Sequence, residues 1–272
     1  MNKSAVVTRL LPLVRSRIIP AYQAVGELGF AFVQGSLVSG YTDRADLDLV
    51  LVWRTDPPRA DARPVETVND GARPYETYDD PGFVLDRFWM DGQEFGVKHE
   101  TEAEIDRWIT AVRGGAGWKG PAYPRPLAAV AGFFYGIVVH DPSGRAVSIR
   151  DDLDTFPEEL VERSRDAVAM QMPGYLELLR GCAERGDGLL FHELLAEAVK
   201  ILLVGWFSSH HVYMPHEKWL ARAIDLHGLD YRGAELERSV WTQGPGLYER
   251  IAAFEALIRF VRKECGLGAA LH

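Results

Sequence analysis

FVQGSLVSGYTDRADLDLVLVW, from Phe32 to Trp53, is the stretch that decides the fold of this chain. Apolar and β-branched residues from Phe30 to Gln34 predict one buried strand, and those from Leu47 to Trp53 predict a second. Small and polar residues separate the two runs, which is typical of a turn followed by a short connecting segment. The sequence therefore predicts two buried strands with a polar connection between them.

Two carboxylates, those of Asp46 and Asp48, stand where the second run begins. Residues two apart on a strand point to the same face, so these side chains project together while Leu47 and Leu49 face the core. Two carboxylates held that close repel each other unless a cation neutralises them, and hard oxygen donors suit magnesium. The pair is a candidate magnesium site, although an isolated Asp-x-Asp at a strand edge is more often simply solvated.

A glycine and a serine, Gly35 and Ser36, follow the first run directly. Glycine lets a backbone approach a phosphate closely, and the serine would add an amide and a hydroxyl as hydrogen-bond donors. A magnesium ion could then bridge phosphate and carboxylate, as in-line attack on phosphorus requires. Taken together at this spacing, the turn and the carboxylate pair are more specific than either is alone.

The remainder of the first half predicts a sheet with flanking helices. Ser4 to Leu28 has the apolar spacing of an amphipathic helix, interrupted near Pro12 and Pro20. Arg54 to Asp80 is rich in Pro, Asp and Arg and predicts a long exposed loop with little regular structure. A loop of that length beside a candidate site often serves as a lid.

A hairpin is predicted after this loop. Asp91-Gly92 separates the run Phe83 to Met90 from the run Glu94 to His99, and this dipeptide is a strong turn signal. Glu102 to Val112 then predicts a helix, with Thr101 as its cap.

The second half of the chain predicts helices. Residues 114–126, rich in Gly and Pro, mark the expected boundary between a domain of residues 1–120 and a second of residues 121–272. Beyond that boundary six segments have helical periodicity: Leu127 to Val139, Glu158 to Met170, Gly174 to Arg185, Leu189 to Ser208, Lys218 to Leu226 and Gly246 to Lys263. The expected fold class is α+β, with a mixed β-sheet and flanking helices followed by an all-α bundle.

Composition limits the classes of partner. A hydrophobic fraction of 47% with no long unbroken apolar run indicates a soluble chain without a membrane span. Arg9, Arg15 and Arg17 interrupt the apolar N-terminal residues and no small-residue cleavage site follows, so we expect no signal peptide and a cytoplasmic location. A net charge of -9 disfavours binding of long nucleic acid and would attract a cationic small molecule.

The Gly35-Ser36 turn and the Asp46-Leu47-Asp48 string resemble the signature of the DNA polymerase beta-like nucleotidyltransferases. The intervening residues SGYTDRAD are similar to those of small bacterial members, including enzymes that modify aminoglycosides and lincosamides. The later half resembles a helical C-terminal domain of bacterial nucleotidyltransferase-like proteins, on the HDPSG turn at residues 140–144, the pair at residues 156–157 and a segment ending YMPHEKWL.

What the resemblance implies is a nucleotidyltransferase that uses a nucleoside triphosphate, with ATP as the expected donor, and two magnesium ions. It would transfer a nucleoside monophosphate to a hydroxyl of a small acceptor and release pyrophosphate, as in antibiotic modification. A homodimer stays open. The family usually adds a third carboxylate from a later strand, at the position held here by Gly96.

Residues near this third position are the remaining candidates in the first half. Glu94 lies on the same strand face as Gly96, so it could be the third metal ligand with Asp46 and Asp48, or merely a surface residue beside the hairpin turn. Glu100 is a weaker substitute. Lys98 shares that face and would contact phosphate, or only pair with Asp46.

Two further candidates come from the helical half. By resemblance, Glu193 or Glu197 would serve as base for the acceptor hydroxyl, although an ordinary helix face with ion pairs also explains them together with Lys200. Lys218, in a motif that resembles the family's Pro-x-x-Lys-Trp, would contact the triphosphate. The expected catalytic residues are thus Asp46, Asp48, Glu94 and Glu193, and the expected nucleotide contacts are Gly35, Ser36, Lys98 and Lys218.

Two other functions compete with this one. The same fold could serve as a non-catalytic or regulatory nucleotide-binding module, because glycine at position 96 removes a carboxylate. The chain could also be a toxin-like enzyme that transfers a nucleotide to protein or RNA. Its net negative charge argues modestly against RNA as the acceptor.

Overall fold

A computed structural model describes residues 5–42, 46–80, 82–118, 125–242 and 246–268 of the chain. The chain divides into two compact units, the first comprising Met1–Thr110 with Ala129–Thr155 and the second Ala111–Ala128 with Phe156–His272. The predicted boundary between residues 120 and 121 lies outside the described residues. Residues 129–155 belong to the same unit as the sheet.

The first unit is built on one six-stranded mixed sheet with the strand order β3-β4-β5-β2-β1-β6. Its strands are β1 Leu28–Gln34, β2 Leu47–Trp53, β3 Glu76–Asp80, β4 Phe83–Met90, β5 Gln93–Thr101 and β6 Ile137–His140. Strands β2 and β5 are parallel, and every other pair is antiparallel. The predicted α+β class and the two strands of the opening stretch are confirmed.

Helical segments from the N-terminus and from the middle of the chain accompany the sheet. The helices of this part are α1 Ala5–Leu13, α2 Ile19–Gln23, α3 Val65–Val68, α4 Glu102–Arg113, α5 Pro126–Tyr135 and α6 Arg145–Asp154. The predicted interruption of the first helix is confirmed, because a π-helical segment, Val14–Ile18, separates α1 from α2 between the two prolines. Helix α6 has no strong apolar periodicity, and the sequence pattern did not predict it.

One face of the sheet packs against the N-terminal helices. Leu47, Leu49 and Leu51 of β2 are fully buried in a cluster that includes Leu10 and Ile18. At about 25 cal/mol for each Å² of apolar surface removed from water, such a cluster is the main favourable contribution to folding. Asp46 and Asp48 alternate with these leucines, so their side chains lie on the opposite face of the sheet.

The hairpin between β4 and β5 has the predicted turn. Asp91 and Gly92 have φ values of 53° and 70°, the left-handed conformation that a two-residue primed turn requires. The predicted cap of the next helix is confirmed as well, because the amide of Glu104 donates to Oγ1 of Thr101 at 3.1 Å. Local turn chemistry therefore sets the register of this part of the sheet.

Two expectations about the edges of the sheet were wrong. Residues 76–80, predicted as part of an exposed loop, form β3 and pair with β4, while Val65 and Val68 are buried. Residues 137–139, predicted as the end of a helix, form β6 and pair with β1. A Cβ at Gly136 would lie 2.6 Å from the carbonyl oxygen of Val33, so this glycine lets the chain leave α5 and approach β1.

The second unit is helical, as predicted. Its helices after the sheet segments are α7 Glu158–Arg185, α8 Gly188–Ser209, α9 Leu220–Leu226, α10 Tyr231–Thr242 and α11 Leu247–Glu264. The two predicted segments Glu158 to Met170 and Gly174 to Arg185 form one helix, because α7 runs through Pro173 without interruption. A proline costs about 3 kcal/mol within a helix, and burial of Met172, Leu176 and Leu179 on the same helix offsets that cost. Helix α10 was not predicted.

Among the described residues, no helix is both long enough and apolar enough to cross a membrane.

Candidate functional site

The turn after β1 brings the backbone against a carboxylate. Gly35 has φ +88°, and a Cβ at this position would overlap Oδ2 of Asp48. Only glycine combines that conformation with the absence of a side chain. The turn continues with amide hydrogen bonds from Ser39 to the carbonyl of Gly35 at 3.0 Å and from Tyr41 to the carbonyl of Ser36 at 2.8 Å. The Gly35-Ser36 turn and Asp48 thus form one local structure.

The carboxylate pair lies on the polar face of the sheet, as the two-residue period predicts. Asp48 is opposite Gln34 of β1 and opposite Gly96 of β5 in the strand register. Its side chain is 24% exposed, so one edge of the carboxylate remains accessible to a ligand. We call this face, which carries Gln34, Asp48, Gly96 and Lys98, the site face. Residues 43–45, between the turn and Asp46, lie outside the described residues.

Gly96 leaves a gap beside both carboxylates. A Cβ at Gly96 would lie 3.6 Å from Oδ2 of Asp46 and 3.7 Å from Oδ1 of Asp48, both ordinary van der Waals distances. Gly96 is not among the glycines with positive φ, so neither space nor backbone conformation excludes a side chain here. The resemblance places a third carboxylate at position 96. A side chain at that position would be directed toward Asp46 and Asp48, but the residue there is glycine.

Lys98 supplies a positive charge next to Asp48. Its Nζ lies 3.2 Å from Oδ1 of Asp48, with 32% of the lysine side chain exposed. The sequence predicted that Lys98 would contact a phosphate or pair with Asp46. The structure pairs it with Asp48 instead. An ammonium ion at this distance partly neutralises the site without a metal.

Glu94 is placed at the start of β5, opposite Trp89 of the hairpin. It is half-buried and shares the site face with Gly96, two residues further along the strand. Among the described residues, no group of three His, Cys, Asp or Glu side chains is arranged to hold a metal ion. A role for Glu94 as third ligand thus stays a prediction.

Glu100 is the other carboxylate on this face of β5. Burial raises its pKa to about 7, against smaller opposing effects of Lys98 and Arg107. A carboxyl group in this position carries a proton in part of the population near neutral pH. The predicted strand ended at His99, and the sequence offered Glu100 only as a weaker substitute for Glu94, with no sign of how deeply it is buried.

Arg87 and Gln34 were not predicted as part of this face. Arg87 lies opposite Gly96 on β4, and its Nη1 is 3.9 Å from Oε2 of Glu76 on the edge strand. Gln34 borders Asp48 on the other side, and a Cβ at Gly132 of α5 would overlap its Oε1. Counting residues back from the Asp91-Gly92 turn would have placed Arg87 opposite position 96.

A buried polar network occupies the opposite face of β4 and β5. Asp86, fully buried, accepts from the hydroxyl of Tyr22 at 2.7 Å and lies 3.2 Å from Nε of Arg63 and 2.9 Å from Nε2 of His99. The indole Nε1 of Trp53 donates to Nδ1 of His99 at 3.1 Å, which leaves Nε2 of a neutral imidazole as the donor to Asp86. Burial lowers the pKa of His99, although Asp86 opposes this effect. The network ties the segment around Arg63 to the sheet.

The helical candidates belong to the second unit. Glu193 is exposed on α8, and Glu197, also exposed, accepts a hydrogen bond from Tyr175, whose pKa is raised first by burial and then by this carboxylate. Nζ of Lys200 lies 3.3 Å from Oε1 of Glu217. Nζ of Lys218 lies 5.4 Å from the ring centroid of Trp219, and most of this lysine is exposed. The structure thus places Gly35, Ser36, Asp46, Asp48, Glu94 and Lys98 in the sheet unit, and Glu193 and Lys218 in the helical unit.

The donor set can be compared with what magnesium requires. Carboxylate oxygens of Asp46 and Asp48 are the hard donors that the ion prefers, and both border the gap at Gly96. The described residues thus fit one magnesium ion that keeps waters or phosphate oxygens as its other ligands. Lys98 already compensates part of the charge of Asp48, and a second ion would need a further ligand such as Glu94.

The chain was compared with family models, curated proteins and solved structures. Residues 126–220 match the model of a domain of unknown function, DUF4037, and this range excludes Gly35, Asp48 and Gly96. Nothing among the curated proteins matches the chain. Among solved structures the chain is similar to a nucleotidyltransferase-like protein from Exiguobacterium sibiricum 255-15, with 14% identity, a TM-score of 0.48, and coverage of 94% of this chain and 77% of that one.

Proposed function

We propose that this chain is a magnesium-dependent nucleotidyltransferase that moves a nucleoside monophosphate from a nucleoside triphosphate to a hydroxyl of a small acceptor. The observation that carries the proposal is the contact between the Gly35 backbone and the carboxylate of Asp48, beside Asp46. A phosphate chain that approaches the turn would lie next to both carboxylates. That arrangement supports nucleotide binding better than a solvated Asp-x-Asp would.

The residues have separate tasks in this reaction. The backbone at Gly35 and Ser36 would hold the terminal phosphates, and Asp46 and Asp48 would hold the magnesium that stabilises charge on the phosphate oxygens. The acceptor oxygen bonds to the α-phosphorus, the bond from that phosphorus to the oxygen bridging to the β-phosphate breaks, and pyrophosphate leaves. Glu193 is the proposed base that takes the acceptor proton, and Lys218 the proposed contact to the triphosphate.

The substrate class follows from charge. A net charge of -9 favours attraction of a cationic, hydroxylated small molecule over long nucleic acid. ATP is the first candidate donor, and aminoglycosides and lincosamides are the first candidate acceptors. We place the reaction in the cytoplasm.

A second candidate is nucleotide binding without turnover. Gly96 leaves the pair without a third carboxylate, and Lys98 already neutralises part of its charge. Both features would weaken metal binding at the site. Catalysis of phosphoryl transfer depends on the metal more than nucleotide binding does.

Turnover with labelled nucleotides separates these candidates. The full chain is incubated with magnesium and each α-labelled nucleoside triphosphate, with and without candidate acceptors, and pyrophosphate and labelled product are measured. We expect acceptor-dependent label and pyrophosphate from the unaltered chain and neither from an Asp46→Ala, Asp48→Ala double variant. Nucleotide retention without pyrophosphate favours the binding module, whereas label on added protein or RNA favours a toxin-like enzyme. Equal pyrophosphate from both chains contradicts the catalytic proposal.

A further inference from the structure

On the site face, a glycine lies between an acidic and a basic residue of the neighbouring strands. Asp48, Gly96 and Arg87 lie opposite one another on the neighbouring strands β2, β5 and β4. The middle position has no side chain, although a Cβ there would be in ordinary contact with Asp46 and Asp48. The face therefore presents two carboxylates beside a position that has room for a Cβ and holds no side chain.

A lysine of the protein itself contacts one of these two carboxylates. Nζ of Lys98 lies 3.2 Å from Oδ1 of Asp48, and it comes from the residue two positions after Gly96 on the same strand face. Asp46, Asp48 and Lys98 together leave a single net negative charge. A divalent cation can compensate that charge, whereas a second one beside Asp48 would meet the ammonium ion of Lys98. Among the described residues, no group of three His, Cys, Asp or Glu side chains is arranged to hold a metal ion.

We propose that Lys98 is the resident counter-ion of the Asp46-Asp48 pair and takes the place of one of two divalent cations. The site then binds one divalent cation, and does so weakly until a triphosphate supplies further oxygen ligands. When a triphosphate binds, the Lys98 ammonium leaves Asp48 and contacts a phosphate oxygen. The part that concerns nucleotide rests on the proposed function, but the effect of Lys98 on the metal does not.

Binding of Mn²⁺, measured by the loss of the free-ion electron paramagnetic resonance signal, tests this directly. In the full chain without nucleotide, Lys98→Met should raise Mn²⁺ affinity by about tenfold, because an ammonium that competes for the carboxylate is gone. Lys98→Gln provides a second neutral variant, and Lys98→Arg should keep the affinity low. Arg87→Met is the matched control, since it removes a positive charge that pairs with Glu76; its effect should be under about twofold.

The gap at position 96 gives an independent measurement. Gly96→Asp in the Lys98→Met background should allow a second Mn²⁺ to bind, whereas Gly96→Ala, which adds bulk without charge, should not. With a non-hydrolysable ATP analogue, the unaltered chain should bind one Mn²⁺ for each chain. Two Mn²⁺ ions in the unaltered chain, or unchanged affinity in both neutral Lys98 variants, would overturn the proposal.

These results are separable from failure of the proposed function. If the unaltered chain binds no analogue but both neutral Lys98 variants gain Mn²⁺ affinity, the nucleotide function fails and Lys98 remains the counter-ion. If the analogue binds but the Lys98 variants match the unaltered chain, the counter-ion role fails and nucleotide binding stands.

Discussion

Gly35 lies so close to Asp48 that a Cβ on the glycine would overlap Oδ2 of the carboxylate. This contact joins the turn after β1 to the start of β2, the two parts of the sequence with the clearest chemical signal. The φ of +88° at position 35 is a second reason why glycine is needed there. The site face is therefore sensitive to a single methyl group.

Gly35→Ala should abolish or strongly weaken nucleotide binding, because the added methyl displaces Asp48. Gly40→Ala is the matched control, since Gly40 has φ +74° and a Cβ there would meet no described atom within 4 Å. Both variants should lose about 1 kcal/mol of unfolding free energy from left-handed strain, but only Gly35→Ala should lose binding, as measured by calorimetric titration with Mg-ATP. Equal loss of binding in both would show that the contact with Asp48 is irrelevant.

Glu100 should make stability depend on pH. Its pKa is raised in the folded chain from 4.5 to about 7, so the contribution of its neutral form is fully present below the unfolded value and is lost as pH rises through about 7. Glu100→Gln should thus stabilise the chain by about 1–3 kcal/mol near pH 8 and by much less near pH 5. Urea unfolding at the two pH values checks this, with Glu66→Gln as an exposed control. A Glu100→Gln gain that does not grow with pH would contradict the burial of this carboxyl group.

Asp86→Asn should be among the most destabilising single changes in the sheet unit. It leaves Arg63 buried beside a neutral amide and weakens the hydrogen bonds to Tyr22 and His99. The expected loss is about 3–5 kcal/mol. The control is Asp91→Asn, at the turn of the hairpin formed by β4 and β5. It removes an exposed ion pair with Arg9 and should cost under about 1 kcal/mol. Similar urea midpoints for the two variants would argue against a structural role for the network.

Lys218→Met should weaken binding of the nucleoside triphosphate by about tenfold, because one charge-assisted contact to phosphate is lost. Lys263→Met, at another exposed lysine of the helical unit, is the control and should leave affinity unchanged. Equilibrium dialysis with labelled ATP measures both. If Lys218→Met binds ATP as tightly as the control does, the proposed phosphate contact is wrong.

The sheet could be predicted wherever local chemistry decides the structure. The alternation around Asp48 and the Asp91-Gly92 turn each determine a conformation within a few residues. Strands β3 and β6 could not be predicted in the same way. Strand β6 owes its conformation to pairing with β1, a partner that is distant in the sequence. Strand β3 pairs with the next strand, β4, but its residues, ETYDD, have no apolar alternation that would predict a strand.

The candidate site shows the same division. The resemblance placed position 96 beside the carboxylates, but the pairing of Lys98 with Asp48 and the burial of Glu100 depend on how the strands come together. A continuous helix through Pro173 likewise depends on packing that outweighs a local preference. The sequence pattern thus located the polar residues, whereas packing determines which of them form ion pairs and which are buried.

The most direct test of the central claim is calorimetric titration of the full chain with ATP in the presence and absence of magnesium, repeated with Asp48→Asn. Magnesium should strengthen ATP binding by the unaltered chain, since Asp46 and Asp48 hold the ion beside the Gly35 turn. This magnesium dependence should be lost in Asp48→Asn and retained in Asp61→Asn, a change at an exposed carboxylate. If Asp48→Asn keeps the full magnesium dependence, or the unaltered chain binds ATP equally well without magnesium, the carboxylate pair is not the metal-nucleotide site.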